Sequence, residues 1–431
     1  MPSATGPRLT RALRHRNFRL FFAGQSISLV GTWITRVATS WLIYRLTGSE
    51  LLLGIAGFCG QIPTLLITPF AGVLVDRMDR RRMLVITQAA SLVQSALLAI
   101  LTLAGHITVV HIVVLQVLQG IINAFDTPAR QAFVSEMVDD RKDLANAIAL
   151  NSSMVNGSRI IGPSVGGLLI AGFGEGWCFA IDAVSYLGVI ASLLAMRVAA
   201  RQRHEASEMR VLEELGHGWR YILGHVPIRT VLLMVAIVST AGTPYSVLMP
   251  AIASQELAGG PNTLGILMAA SGAGALTGAL YLASRESVLG LGRVIMYATL
   301  LFGGSLIAFS QTRSLWVACV LLALVGGGFM MQLAATNTFL QTIVQERLRG
   351  RVMSFYTMAF FGTVPIGSLI GGAIAERVGA PLTVVLSGVM CLAAGGWFAW
   401  RLPVIRALVR PVYREMGILT VPAVDPGAKT L

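Results

Sequence analysis

The placement of basic residues constrains this chain more than any other feature. Long apolar segments follow one another along the 431 residues. Twenty-eight of the thirty-three Lys and Arg side chains lie in the two tails or in every second gap between those segments. The exceptions are Arg36 and Arg159 inside apolar segments, and Arg45, Arg313 and Arg377 at the remaining gaps. A bilayer produces such a pattern: a spanning helix satisfies its own backbone hydrogen bonds and needs about 20 mostly apolar residues, and Lys and Arg are retained on the cytoplasmic side. The alternation predicts twelve spans, at 20–46, 52–75, 84–104, 109–125, 148–173, 177–196, 231–253, 264–283, 294–309, 315–335, 353–375 and 382–400. Both termini are then cytoplasmic, in a multi-pass protein of the cell's inner, cytoplasmic membrane.

Composition agrees. With 55% hydrophobic and 12% charged residues and a mean hydropathy of +0.72, a soluble domain would lack polar surface. The net charge of +13 reports topology and attraction to acidic lipid, because the basic residues sit in short loops and are not interleaved with aromatics on one folded domain. Nucleic acid is therefore not an expected partner; membrane lipids are. Cys59, Cys178, Cys319 and Cys391 lie in or at the edge of apolar spans, as small hydrophobes. The first apolar stretch is too long for a cleaved signal and reads as an uncleaved first helix.

The longest hydrophilic gap leaves six spans on either side. The expected organisation is a tail (1–19), a six-helix bundle (20–196), a linker (197–229), a second six-helix bundle (230–400) and a tail (401–431). Within the linker, 211–223 has the pattern of an amphipathic helix lying on the membrane surface. The halves repeat: Phe133, Val138 and Arg141 align with Phe339, Val344 and Arg347, and Gly162 and Gly166 with Gly367 and Gly371. Duplicated six-helix units are how many secondary transporters are built, with the substrate site near the midplane between them.

The gap after the second span reads Gly72-x-x-x-Asp76-Arg77-Met78-Asp79-Arg80-Arg81-Arg82. It resembles the loop signature of the major facilitator superfamily, with Asp79 in place of the usual second glycine. Asp76 adds nothing to orientation. It is suited to a latch that meets the N-terminal end of the eleventh helix near Met353 and Ser354, together with Arg351 or Arg349. Arg77 and Arg80 belong to the same gate, whereas Arg81 and Arg82 read mainly as topology and lipid contacts. No equivalent follows Gly278, since Leu282 takes the Asp position.

In the fifth span, Gly162-Pro163-Ser164-Val165-Gly166-Gly167 resembles the glycine-proline signature of exporters in that superfamily, with Ser158 at an upstream position usually glycine. Ordinary close helix packing is the plainer explanation of such glycines. The same helix carries Ser152, Asn156, Arg159, Pro163 and Gly166 at steps of 4, 3, 4 and 3, hence on one face. Arg159 is roughly 17 to 20 Å from either membrane surface at 1.5 Å per residue. An arginine at that depth costs about 2.5–3.5 kcal/mol on insertion scales, so it faces water or a partner inside the bundle, as a substrate or coupling group or as half of a structural ion pair.

The first span has a second polar stripe, Gln25, Ser28, Thr32, Arg36 and Thr39. Gln116, Gln119 and Asn123 in the fourth span, Ser239, Thr243 and Ser246 in the seventh, and Gln332 with Thr336 in the tenth extend the polar set, each serving as ligand contact or packing hydrogen bond. Asp182 is the acidic residue well inside a span, either a proton carrier or the fixed counter-ion of Arg36. Asp126, at the inner end of the fourth span, is expected to see cytoplasmic water.

Lys142 and Lys429 stand outside any Gly-x-x-x-x-Gly-Lys-Ser/Thr loop, so the chain has no Walker phosphate cradle; its histidines show no metal spacing and no Gly-x-Ser-x-Gly elbow occurs. Neither enzyme chemistry nor a cofactor or metal is expected.

Four further strings, Asn17-Phe18-Arg19-Leu20-Phe21, Asp126-Thr127-Pro128-Ala129-Arg130-Gln131-Ala132-Phe133, Arg159-Ile160-Ile161-Gly162-Pro163 and Arg349-Gly350-Arg351-Val352-Met353-Ser354, are similar to one branch of the superfamily, the enterobactin-exporter-like or transmembrane secretion effector group. The resemblance covers 16–400. It implies an all-α membrane protein with twelve helices in two pseudo-symmetric bundles, acting by alternating access as an exporter of siderophores, drugs or related small metabolites, coupled to protons and working as a monomer. Many proton antiporters of the superfamily carry an arginine where this chain has Gln116, so coupling here would fall to Asp182 with Arg159 or Arg36. A lipid transporter, for example of lysophospholipids, and a non-transporting membrane sensor are the competing classes. Two interior arginines against one aspartate favour a substrate with an acidic group.

Overall fold

A computed structural model describes residues 8–138, 140–197, 219–285 and 287–417. Twelve long helical segments succeed one another: α1 (Arg16–Thr47), α2 (Glu50–Arg77), α3 (Arg80–Leu103), α4 (Val109–Phe133), α5 (Arg141–Phe173), α6 (Glu175–Ala195), α7 (pieces Val226–Gly242, Pro244–Val247 and Met249–Gln255), α8 (Pro261–Ala283), α9 (Leu291–Gln311), α10 (Leu315–Ile343), α11 (pieces Glu346–Phe361 and Thr363–Val378) and α12 (Ala380–Glu415). Their starts are fixed by side chains that satisfy orphaned amides. Ser49, Asp79, Thr108 and Asp140 accept from the backbone N–H of Leu52, Arg82, His111 and Lys142. Gly48, at φ +62°, ends α1 in the left-handed conformation that costs glycine nothing.

Ten helices among the described residues are long and apolar enough to cross a membrane. The two long helices missing from that set are α1 and α5, of 32 and 33 residues, which carry the interior arginines. They are tolerated because they pack on each other and on neighbouring helices.

In the first half α1 packs on α5 and α6, α2 on α4, and α3 on α4 and α6; in the second, α8 packs on α10, and α12 on α7 and α9. Two crossings join the halves, α5 with α8 and α2 with the second piece of α11. Glycines make both possible. A methyl on Gly167 would lie 3.2 Å from Gly265 Cα, and one on Gly372 would lie 2.8 Å from Gly54 Cα. The aligned glycines of the repeat also do equivalent work, since Gly162 and Gly166 seat α5 on α1 while Gly367 and Gly371 seat α11 on α7. The first piece of α11 packs on α7 and α10.

Helix α12 continues past the predicted end of the last span. Leu402, Ile405, Val409 and Tyr413 are buried at helical spacing, while the arginines between them face outward, so the segment after Trp400 lies along the protein. Most of the expected amphipathic helix at 211–223 falls outside the described residues. Its end does not: 219–224 is helical, and Trp219 stacks 5.8 Å from Phe355 of α11.

Candidate functional site

The interior arginines meet on one aromatic ring. Because Gly162 has no side chain, α5 approaches α1 so closely that a methyl there would stand 3.0 Å from the Val30 carbonyl oxygen and collide with Trp33. Trp33 is thereby held at the junction. The guanidinium carbon of Arg36 lies 4.7 Å and that of Arg159 5.7 Å from its ring centroid, both within cation–π range. Arg36 is solvent-accessible and Arg159 is half-buried. From the second half, Gly272 of α8 sits against the Arg159 backbone, where a methyl would be 2.8 Å from its carbonyl oxygen. Tyr245 of α7 lies within electrostatic reach of the Arg159 guanidinium, and its hydroxyl is 3.2 Å from Ser271 Oγ. The junction therefore combines two cations, one indole and a phenol drawn from both halves.

Asp182 is not the counter-ion of Arg36. It is buried, and its Oδ2 accepts from Thr35 Oγ1 and Ser95 Oγ, each at 2.9 Å, with no ion pair among the described residues. Neutral hydroxyls satisfy half of the carboxylate, and Oδ1 has no donor. That oxygen faces α1 at Gly31, where a methyl would lie 2.6 Å away. Asp126 likewise departs from expectation. It is buried, and Oδ1 accepts from Thr87 Oγ1 (2.9 Å) and Gln88 Nε2 (2.8 Å) while Oδ2 lies 3.5 Å from Arg130. The α3 face supplies these donors because its polar residues recur at helical spacing toward α4 and α6.

The other predicted residues divide. Asn156 is partly exposed on α5 near Arg159, with its amide donating to the Ser152 carbonyl. Gln116 and Asn123 are half-buried; Gln116 lies against Gly60, and Asn123 accepts from Gln119. Gln25 and Ser28 are buried within the first half, so the α1 stripe does not share one environment with Arg36. Gln332, Thr336 and Ser239 are fully enclosed in the second half, with unpaired polar atoms, and do not line an open surface. Helical spacing groups residues on a face but cannot say which neighbour covers it.

At the arginine-rich end, the side chains of Asp76 and Arg77 lie outside the described residues, and with them the expected latch to α11 and Arg351. Gly72 has open space where a side chain would point. Arg80 bonds Glu136 beyond the end of α4 at 2.7 Å. Arg81, expected to serve topology and lipid, donates to the Leu193 and Leu194 carbonyls at 2.7 and 2.8 Å and caps the end of α6.

Sequence reasoning missed two features. One is Trp33, whose signal was an aromatic one turn before Arg36. The other is a polar closure at the opposite end, where Glu376 Oε2 accepts from Ser49 Oγ (2.8 Å) and Leu51 N (3.0 Å), and Gln255 Nε2 donates to the Tyr44 hydroxyl (2.6 Å). These bonds tie α11 and α7 to the junction of α1 and α2.

Comparison with known proteins places this architecture. The family profile described as "Transmembrane secretion effector" matches residues 10–412. The chain is 26% identical over 378 residues to the Staphyloferrin A transporter of Staphylococcus aureus, covering 86% of this chain and 92% of that protein. It is 26% identical to the Multidrug efflux pump Tap of Mycolicibacterium fortuitum (91% and 95% covered) and 25% identical to Macrolide efflux protein A of Streptococcus pyogenes (88% and 96% covered). Among solved structures, a bacterial homologue of the human lysosomal transporter Spinster, inward-facing and unoccupied, superposes with a TM-score of 0.66 at 15% identity (97% and 100% covered). A D-xylose-proton symporter superposes with 0.67 at 13% identity (90% and 96% covered), so these two speak for the fold alone. With a profile spanning nearly the whole chain and a helix arrangement shared with solved transporters, this chain belongs to the transmembrane secretion effector family of the major facilitator superfamily and is a multi-pass membrane transporter, not an enzyme.

Proposed function

We propose that the chain exports a small organic molecule with an acidic group across the cytoplasmic membrane by alternating access, in exchange for protons. One observation carries the reading: Arg36 and Arg159 share the Trp33 ring where α1, α5 and α8 meet, about midway across the bundle. Two guanidinium groups present fork-shaped donors to a carboxylate or phosphate, and the indole offers a flat face to the rest of the substrate. The names of relatives support export of a small molecule, since they include a multidrug efflux pump and a macrolide efflux protein. The arginine-rich end is cytoplasmic by the positive-inside rule, so both termini are too, and the Glu376 and Gln255 bonds join the halves at the opposite, outer end.

Asp182 carries the proton in this scheme. It is buried without a cation and is satisfied by hydroxyls that can serve either protonation state. The chain acts as a monomer. An apolar groove of about 570 Å³ between α8, α9 and α10, lined by Gly278, Tyr281 and Tyr297, lies within one half.

The test is growth of a strain lacking its own pumps, expressing this protein, on a panel of antibiotics and siderophores, followed by efflux of the compound it protects against. Arg159→Ala abolishes that efflux with membrane insertion intact, and Asp182→Asn stops gradient-driven efflux. Wild-type efflux by well-inserted Arg159→Ala protein would reject the site.

A further inference from the structure

A second polar system runs through the first half behind the arginine junction, and beyond Asp182 itself the proposed transport scheme does not use it. It begins at Asp182 on α6 and ends at Asp126 on α4. Between them, Tyr186 is buried one turn closer to the cytoplasmic end than Asp182, with its hydroxyl beside Thr32 and Ser91. Gln119 Nε2 reaches Ser91 Oγ at 3.3 Å and Asn123 Oδ1 at 3.1 Å. One turn below Asn123, Asp126 takes two hydrogen bonds from α3 and lies 3.5 Å from Arg130, which is partly exposed at the cytoplasmic end. From Ser95 beside Asp182 to Thr87 beside Asp126 is eight residues of α3, about 12 Å along the helix axis.

Two properties of this column bear on proton movement. First, buried acids stand at both ends, and neither is neutralised by a fully buried cation. Second, three buried acceptors along it have no donor: Asp182 Oδ1, Gln119 Oε1 and Gln88 Oε1. An orphaned buried oxygen is costly, and several in one column are satisfied together only by groups that bring protons, namely water or a protonated carboxyl.

We propose that this column is the proton exit of the transporter, separate from the arginine junction, with Asp126 as its inner relay; this rests on the reading of Asp182 as proton carrier. A proton leaving the Asp182 carboxyl passes to water at Oδ1. Each hydroxyl or water along the column accepts one proton as it hands on another, and the Asp126 carboxylate receives the last. Asp126 then returns it to cytoplasmic water beside Arg130, 3.5 Å away. Nothing else is consumed. Separate routes let the proton leave while substrate occupies the arginine junction.

The experiment needs no substrate. The full chain in lipid nanodiscs is subjected to a pH jump, and the carbonyl stretch of protonated carboxylic acid is followed by time-resolved infrared spectroscopy. In wild type a buried carboxyl band titrates, and Asp182→Asn removes it. Asp126→Asn, which removes a proton-transfer group, and Gln119→Leu, which removes the amide that holds water in the column, keep the Asp182 band but re-equilibrate about tenfold or more slowly, and Asp126→Glu restores the rate. Where Gln119→Leu misassembles, Ser91→Ala interrupts the column with a smaller change. Should the band be Asp182's and all interrupted variants re-equilibrate at the wild-type rate, proton coupling stands and this path is overturned. A band absent from wild type or unchanged by Asp182→Asn instead shows that Asp182 carries no exchangeable proton, and the coupling reading fails with the path.

Discussion

Helices α5 and α11 occupy equivalent places in the two halves and use the same glycines, yet they differ at the position that matters for chemistry. Gly162 and Gly166 press α5 onto α1, and Gly367 and Gly371 press α11 onto α7. Across the halves, Gly167 meets Gly265 and Gly372 meets Gly54. At the alignment of those glycines, Arg159 corresponds to Val364, and the residue under Gly162 is Trp33 whereas the residue under Gly367 is Thr240. Duplication preserved the hinge and left the charge on one side. Close helix approach is demanded by the geometry of both crossings, whereas a buried guanidinium is costly and one binding site needs it once.

The widest test of that comparison concerns the hinge. Gly167→Val and Gly372→Val each force branched carbons into a backbone contact, at a cost of about 1–3 kcal/mol for overpacking, paid only in the outward-closed arrangement. Each should reduce export about tenfold or more by shifting the balance between inward- and outward-open forms, measured as transport rate and as accessibility of introduced cysteines from either side. Loss in one variant and normal export in the other would break the equivalence of the two crossings.

A smaller effect sharpens the asymmetry. Trp33→Leu removes two cation–π contacts of about 0.5–1 kcal/mol each and should weaken apparent affinity for the exported compound several-fold. Thr240→Ala, its counterpart under α11, should leave affinity within about twofold, since the second half holds no arginine there. Equal effects in transport assays would show that the indole serves packing alone.

The smallest effect lies at the arginine-rich end. Arg81→Ala exposes the last carbonyls of α6 and should cost about 1 kcal/mol of stability, a value discounted for partial exposure. It should appear as a lowered melting temperature in detergent with export retained. An unchanged melting temperature would return Arg81 to a purely topological role.

Much of this was legible beforehand. The span count, the repeat, the close-packing glycines and the depth of Arg159 all follow from periodicity and composition, because a bilayer leaves few ways to bury a backbone and punishes misplaced charge. The partners of the polar residues were not legible. By sequence Asp182 is either a proton carrier or the counter-ion of Arg36; in the structure the aspartate turns to Ser95 and Thr35 while the arginine turns to Trp33. Asp126 sits near a helix end in the chain but is roofed by Thr87 and Gln88 from α3. Gln332 and Thr336 share a face with nothing exposed.

The sequence alone determined that this chain crosses a membrane many times, that its halves are related, and that Arg36 and Arg159 need an environment lipid does not supply. Only the tertiary structure decided that one indole serves both arginines, that glycine pairs seat the halves on each other, and that the two acids bound a column of their own. Hydropathy and charge are summed along a chain and survive without coordinates. A hydrogen bond depends on which of several neighbouring helices presents its donor, and that is fixed only when twelve helices pack at once.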